Sequence, residues 1–66
     1  MTKGVVKRWL AVRGYGFIRP EGETKDVYVH HSDLYNVTYL REGERVEFEV
    51  TDAFNGPRAT NVKSVS

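Results

Sequence analysis

The chain has 66 residues, with 10 basic and 9 acidic side chains, no cysteine, and one Trp, four Tyr and three Phe. This length predicts a single domain over residues 1–66, and the lack of cysteine excludes a disulfide framework and a thiolate zinc site. The aromatic content and a net charge of +1 argue against disorder, and no apolar run approaches the roughly 20 residues of a membrane-spanning helix. We therefore expect a soluble, cytoplasmic monomer with no membrane partner.

The charges are distributed unevenly along the chain. Residues 1–20 carry five basic and no acidic side chains, a formal charge of +5, whereas residues 21–66 carry five basic and nine acidic ones, a charge of −4. Such asymmetry is typical of proteins that bind nucleic acid or membranes, although ordinary solvated charges would give the same pattern. Because the whole chain is nearly neutral, charge alone would not hold a polyanion.

Five extended segments are predicted in chain order. The first two are rich in β-branched and aromatic residues, and the third and fourth alternate between apolar and polar side chains. The fifth has less regular spacing, and residues 32–44 form the longest connection, with room for one helical turn at Ser32–Leu34. The predicted strands are residues 3–10, 15–19, 26–31, 46–51 and 58–65.

Five short strands in so small a chain favour an all-β closed barrel, because an open sheet would leave two exposed edges. Alternation within each strand selects the side chains that should point into this barrel. The predicted interior consists of Val6, Ile18, Val27, Val29, Val46, Phe48, Val50 and Val62.

The other face of the second and third predicted strands carries aromatic rings. Tyr15 and Phe17 lie opposite Ile18 in the alternation, and Tyr28 and His30 lie opposite the two valines of the third strand. Clustered exposed rings call for a partner, and nucleobases stack on such rings at about 1–3 kcal/mol per base. These side chains therefore predict a surface for single-stranded nucleic acid, unless the rings lie inside and the valines outside. The basic residues expected to flank the rings are Lys7, Arg8, Arg13 and Arg19.

Two short motifs lie on these same strands. Residues 13–18, Arg-Gly-Tyr-Gly-Phe-Ile, resemble the first ribonucleoprotein motif. Residues 27–30, Val-Tyr-Val-His, resemble the second motif as it occurs in the cold-shock domain family. The opening residues 4–7 and the closing residues 56–62 are also similar to that family, so the resemblance covers nearly the whole chain in the right order.

The resemblance implies a five-stranded antiparallel barrel of the oligonucleotide/oligosaccharide-binding (OB) fold. It also implies a protein that binds single-stranded RNA and DNA, often pyrimidine-rich, and acts as an RNA chaperone that influences transcription and translation. The positions that match the family's binding residues are Lys7, Arg13, Tyr15, Phe17, Tyr28 and His30.

The first strand departs from the family pattern. Residues 7–10 read Lys-Arg-Trp-Leu, where the family usually has Lys-Trp-Phe-Asn, so an arginine stands at the position of a surface tryptophan. A shift of one residue reverses the face of a strand. Either Trp9 still reaches the binding surface near a bulge, or Arg8 takes that place and Trp9 partly fills the barrel; we favour Arg8 on the surface with Trp9 at its margin.

Three further residues complete the predicted binding set. His31 stands where the family usually has a phenylalanine, and an imidazole stacks less strongly. The connection formed by residues 32–44 is shorter than the corresponding loop of the family, which carries a binding aromatic residue. Either Tyr35 or Tyr39 could supply this aromatic contact, with Tyr39 preferred. Arg58 lies in the closing motif.

Other classes of function receive less support. His30 and His31 are neighbours on a predicted strand and should point to opposite faces, so we expect no metal site there and no cofactor. No thiol or carboxylate pair suggests catalysis, and the adjacency of Ser32 and His31 has no catalytic meaning. The main alternative is a small barrel that grips a proline-rich peptide with its Tyr and Trp side chains.

Overall fold

Five β-strands dominate residues 1–65, the part of the chain that the computed structural model describes. All five predicted strands are present. A single 3₁₀ turn, His31–Asp33, follows the third strand one residue earlier than expected, and no helix among these residues could span a bilayer. The strands are β1 (Thr2–Leu10), β2 (Tyr15–Pro20), β3 (Val27–His30), β4 (Arg45–Ala53) and β5 (Gly56–Ser64).

The strands close into a barrel in the order β1-β2-β3-β5-β4, with β4 pairing back onto β1. Four of the neighbouring pairs are antiparallel, and β3 pairs with β5 in parallel through Tyr28 and Arg58. A closed ring with an odd number of strands cannot alternate direction throughout, so one parallel pair is unavoidable. The predicted five-stranded barrel is confirmed, with this one parallel pair added.

The barrel interior contains seven of the eight predicted residues. The prediction for Val50 is wrong, because this side chain is 47% exposed. The pairing of β4 with β1 ends at Phe48, so the rest of β4 extends from the barrel and pairs only with β5. Leu40, in the loop before β4, is also buried in the core. Its burial was not predicted, because a loop residue belongs to no periodic pattern. The hydrophobic residues of this buried core are Val6, Ile18, Val27, Val29, Leu40, Val46, Phe48, Ala59 and Val62.

A β-bulge explains the irregular spacing of the fifth strand. The β4–β5 register shifts between Glu47, which pairs with Lys63, and Glu49, which pairs with Thr60. Asn61 lies in this interval with a φ of 51°, and a bulge places an extra residue on one strand. Ala59 and Val62, three positions apart, can therefore both point inward.

Two identical substitutions on β4 test this assignment of the core. Val46→Ala removes two methyl groups from a fully buried site and should lower the free energy of unfolding by about 2 kcal/mol or more. Val50→Ala makes the same change in strand propensity at an exposed site, and should cost less than about 1 kcal/mol. Urea denaturation of both variants measures the difference, and equal costs would contradict the burial pattern.

Candidate nucleic-acid interface

Four rings lie side by side on the outer face of β2 and β3. Tyr15 pairs with His30 and Phe17 pairs with Tyr28 across the two strands, and directly opposed residues share a face. The ring centroids of Tyr15 and Tyr28 are 5.8 Å apart, and each lies 6.2 Å from that of Phe17. All four side chains are partly exposed while Val29 is fully buried, so the rings are outside the barrel. We call Tyr15, Phe17, Tyr28 and His30 the aromatic platform.

An arginine stands at each side of the central pair of the platform. Arg8 on β1 pairs with Phe17, and Arg58 on β5 pairs with Tyr28. The guanidinium carbon of Arg58 lies 5.8 Å from the Tyr28 ring centroid, within the range of a cation–π contact. Four neighbouring strands thus present a transverse row that reads Arg8, Phe17, Tyr28, Arg58.

A bulge in β1 decides the faces of Arg8 and Trp9. Val6 pairs with Ile18 and Arg8 pairs with the adjacent Phe17, which leaves Lys7 as the extra residue. Lys7 and Arg8 are therefore both exposed, and the alternation is shifted by one residue beyond them. Trp9 packs against the core, and within residues 1–65 its buried indole N–H has no hydrogen-bond acceptor. The structure thus has Arg8 on the surface and Trp9 partly inside.

Gly16 makes room for this tryptophan. Gly16 is buried and pairs with Trp9. A Cβ atom at this position would lie 2.1 Å from the carbonyl oxygen of Arg8 and 2.9 Å from Cε3 of Trp9. Since a backbone atom cannot move aside without separating β1 from β2, glycine is required under the platform.

The 3₁₀ turn adds His31 to the edge of the platform. The His31 amide donates to the Gly14 carbonyl oxygen at 2.8 Å, which fastens the β1–β2 turn to the end of β3. The prediction that His30 and His31 point to opposite faces is wrong, since their ring centroids are 4.2 Å apart. The alternation ends where the turn begins, so the two imidazoles form one surface. The Nδ1 atom of His30 also lies 2.9 Å from the Ser32 hydroxyl.

A groove of about 320 Å³ continues from this edge. Trp9, Arg13, His31 and Tyr39 are among its lining residues, and Tyr39 is 52% exposed. Tyr35 lies elsewhere, with the Lys63 ammonium 4.8 Å from its ring centroid. The structure therefore brings Tyr39, and not Tyr35, to the groove.

Three basic side chains near the platform remain available to a ligand. Lys7, Arg8 and Arg13 are exposed, and none has a carboxylate within salt-bridge distance in the described part of the chain. Arg19 differs from the expectation, because it forms an ion pair with Asp26. Its charge is already balanced.

Arg58 is also paired, but its partner ties it to the platform. Its Nε and Nη2 atoms donate to the two carboxylate oxygens of Asp33 at 2.8 and 3.2 Å. The hydrogen bond and charge of Asp33 raise the pKa of Arg58, so the guanidinium remains protonated. The same carboxylate accepts from the His30 amide at 3.1 Å. Asp33 therefore holds Arg58 as a planar group beside Tyr28 through one edge of its guanidinium.

Phe54 is a surface aromatic residue that was not expected from the sequence. Its side chain is fully exposed at the turn between β4 and β5, outside any alternating segment. The one feature of the sequence that could have pointed to Phe54 is an aromatic residue in a hairpin turn, where glycine, asparagine and aspartate are usual.

Comparison with known proteins agrees with this geometry. The family model described as the 'Cold-shock' DNA-binding domain matches residues 2–65. The chain is 48% identical to cold shock-like protein CspE of Escherichia coli over 91% of its length and 90% of that protein. It is 40% identical to probable cold shock protein A of Mycobacterium tuberculosis, covering 98% and 100% of the two chains.

A solved structure shares the fold. The chain superposes on Drosophila Unr CSD456 with a TM-score of 0.80 at 18% identity, covering 98% of this chain and 26% of that longer one. Together with the five-stranded barrel, the family match over residues 2–65 shows that this chain belongs to the cold-shock domain family.

Proposed function

We propose that this protein binds single-stranded RNA or DNA by stacking bases on the aromatic platform. The observation that carries the proposal is that four rings lie side by side on the outer face of β2 and β3. These rings are partly exposed, so packing in the barrel core does not explain why they are clustered. Each base that stacks on such a ring contributes about 1–3 kcal/mol. Stacking thus supplies the affinity that a net charge of +1 cannot.

The basic side chains beside the platform can contact the phosphates of the same nucleic-acid strand. Lys7, Arg8 and Arg13 are exposed and free of salt bridges among the described residues, so they can contact phosphates without first breaking an ion pair. The acidic side chains of β4 alternate along its outer face, away from the core. A polyanion is therefore attracted to β1 and β2 and repelled by β4.

Stacking on an open platform selects unpaired bases. In a duplex each base face is covered by its neighbours, so the rings of the platform have nothing to contact until the strands separate. Sequence preference on such a surface comes from the cost of unstacking the free strand. Pyrimidine-rich strands stack weakly on themselves and are the expected ligands.

A protein that binds unpaired bases in this way can act as an RNA chaperone. A ligand that binds only one state of an equilibrium shifts the population toward that state. A monomer in the cytoplasm that binds unpaired segments would therefore oppose base pairing in transcripts, and would influence transcription and translation through the RNA structures it removes. The chemistry requires neither a metal nor a catalytic group.

Removing single rings from the platform tests the proposal. Phe17→Ala and Tyr28→Ala should each weaken binding of a seven-nucleotide oligothymidylate by about 1–3 kcal/mol, because one stacked base loses its partner. Tyr35→Ala removes an exposed ring outside the platform and should leave the affinity unchanged. Quenching of Trp9 fluorescence on titration measures each dissociation constant.

Two results would contradict this account. If Phe17→Ala or Tyr28→Ala unfolds the protein while the folded fraction keeps its full affinity, the ring is a core residue. If the unsubstituted chain gives no response to any oligonucleotide at low salt but binds a proline-rich peptide, the aromatic surface is a protein-binding module.

The salt dependence of binding tests the role of the free cations. Three phosphate contacts on a single strand predict a slope of about −2 in log K against log salt concentration. Arg8→Ala should reduce the magnitude of this slope by about 0.7, the value of one contact. Lys3→Ala removes an equal charge from the same strand at a position that pairs with Glu47 on β4, and should leave the slope unchanged. Equal effects of the two variants would show that only net charge matters.

A further inference from the structure

Phe54 occupies an unusual position for a large apolar side chain. Ala53 pairs with Gly56, so Phe54 and Asn55 form a two-residue turn at the tip of the β4–β5 hairpin. The Phe54 ring is fully exposed, and the turn itself does not require an aromatic residue, because small and polar residues suit this geometry. The fold alone therefore gives this ring no role.

The ring borders a groove that continues the aromatic platform. This groove has a volume of about 500 Å³, and Phe17 and Tyr28 of the platform form part of its lining. Phe54, Pro57 and Arg58 line it from the side of the hairpin. The parallel pairing of Tyr28 with Arg58 is what brings the start of β5, and with it the hairpin, alongside the platform.

The chemistry of the groove suits a flat aromatic ligand. Phe17, Tyr28 and Phe54 offer ring surfaces, and the guanidinium plane of Arg58 lies beside the Tyr28 ring. Because Asp33 holds one edge of that guanidinium through Nε and Nη2, the guanidinium plane is fixed beside the Tyr28 ring. The groove is thus suited to a base, with the phosphates of the strand lying outside it.

We propose that Phe54 and this groove form an additional nucleobase-binding site, which accepts one further base of the strand that lies on the platform. The inference rests on the proposed function and extends it by one stacking position. Continuity with the platform identifies the occupant, because a strand stacked on Phe17 and Tyr28 must enter or leave the surface past one of its edges, and this edge carries an exposed ring. The hairpin tip thereby lengthens the binding site.

The dependence of affinity on strand length tests the additional site. Oligothymidylates of four to eight nucleotides are titrated against the unsubstituted chain and against Phe54→Ala. Phe54→Ala should weaken binding of the longest strand about fivefold or more, the effect of the weakest base–aromatic stack, and should leave the shortest strand unaffected. The variant should therefore reach its maximum affinity at a strand one nucleotide shorter.

Companion variants separate stacking from general apolar contact. Phe54→Tyr keeps an aromatic ring and should retain the full affinity, whereas Phe54→Leu keeps an apolar side chain and should behave like Phe54→Ala. Val65→Ala removes an exposed apolar group just after the last residue of β5, at the end of the strand far from the hairpin, and should change nothing. Because position 54 is fully exposed, thermal denaturation should show the same stability for all of these variants.

Three results would overturn the inference. If Phe54→Ala matches the unsubstituted chain at every length while Phe17→Ala loses affinity, the platform is correct and the additional site is wrong. If sedimentation shows a dimer that Phe54→Ala abolishes, the ring contacts a second copy of the chain. If the unsubstituted chain binds none of these strands, the proposed function fails, and the additional site fails with it.

Discussion

The outward position of the aromatic rings depends on the limited interior of a five-stranded barrel. Phe48, Ile18 and Leu40 are the largest side chains that are fully buried, and small aliphatic residues fill the remaining space. Because successive side chains of a strand point to opposite faces, the burial of Ile18 between β1 and β3 forces its neighbour Phe17 outward. The interior therefore determines which surface becomes aromatic.

Local departures from regular strand geometry set the borders of that surface. The bulge at Lys7 turns Arg8 outward and allows Trp9 to pack against the core. The 3₁₀ turn brings His31 against His30, and Asp33 binds Arg58 while it accepts from the His30 amide. These features connect β1, β3 and β5 at the site, so the platform and its flanking groups are held by backbone geometry and one ion pair.

Alternation predicted the parts of the molecule in which strands are regular. The buried valines of β3 and the four rings of the platform follow from period-two spacing alone. The errors lie where that period ends. Val50 lies beyond the last contact of β4 with β1, Leu40 enters the core from a loop, and His31 lies in a turn. The ion pair of Arg58 joins residues 25 positions apart, and no local pattern contains that information. Phe54 was missed because a turn residue has no periodic partners.

The central claim is that unpaired bases lie on the outer face of β2 and β3. Amide chemical-shift mapping with a seven-nucleotide pyrimidine strand tests it most directly, because the method reports the contacted face for the whole chain at once. The account predicts shifts that cluster at Arg8, Tyr15–Phe17 and Tyr28–His31, with little change along the acidic outer face of β4. Shifts confined to Glu47 and Glu49, or no shifts at saturating strand concentration, would contradict it.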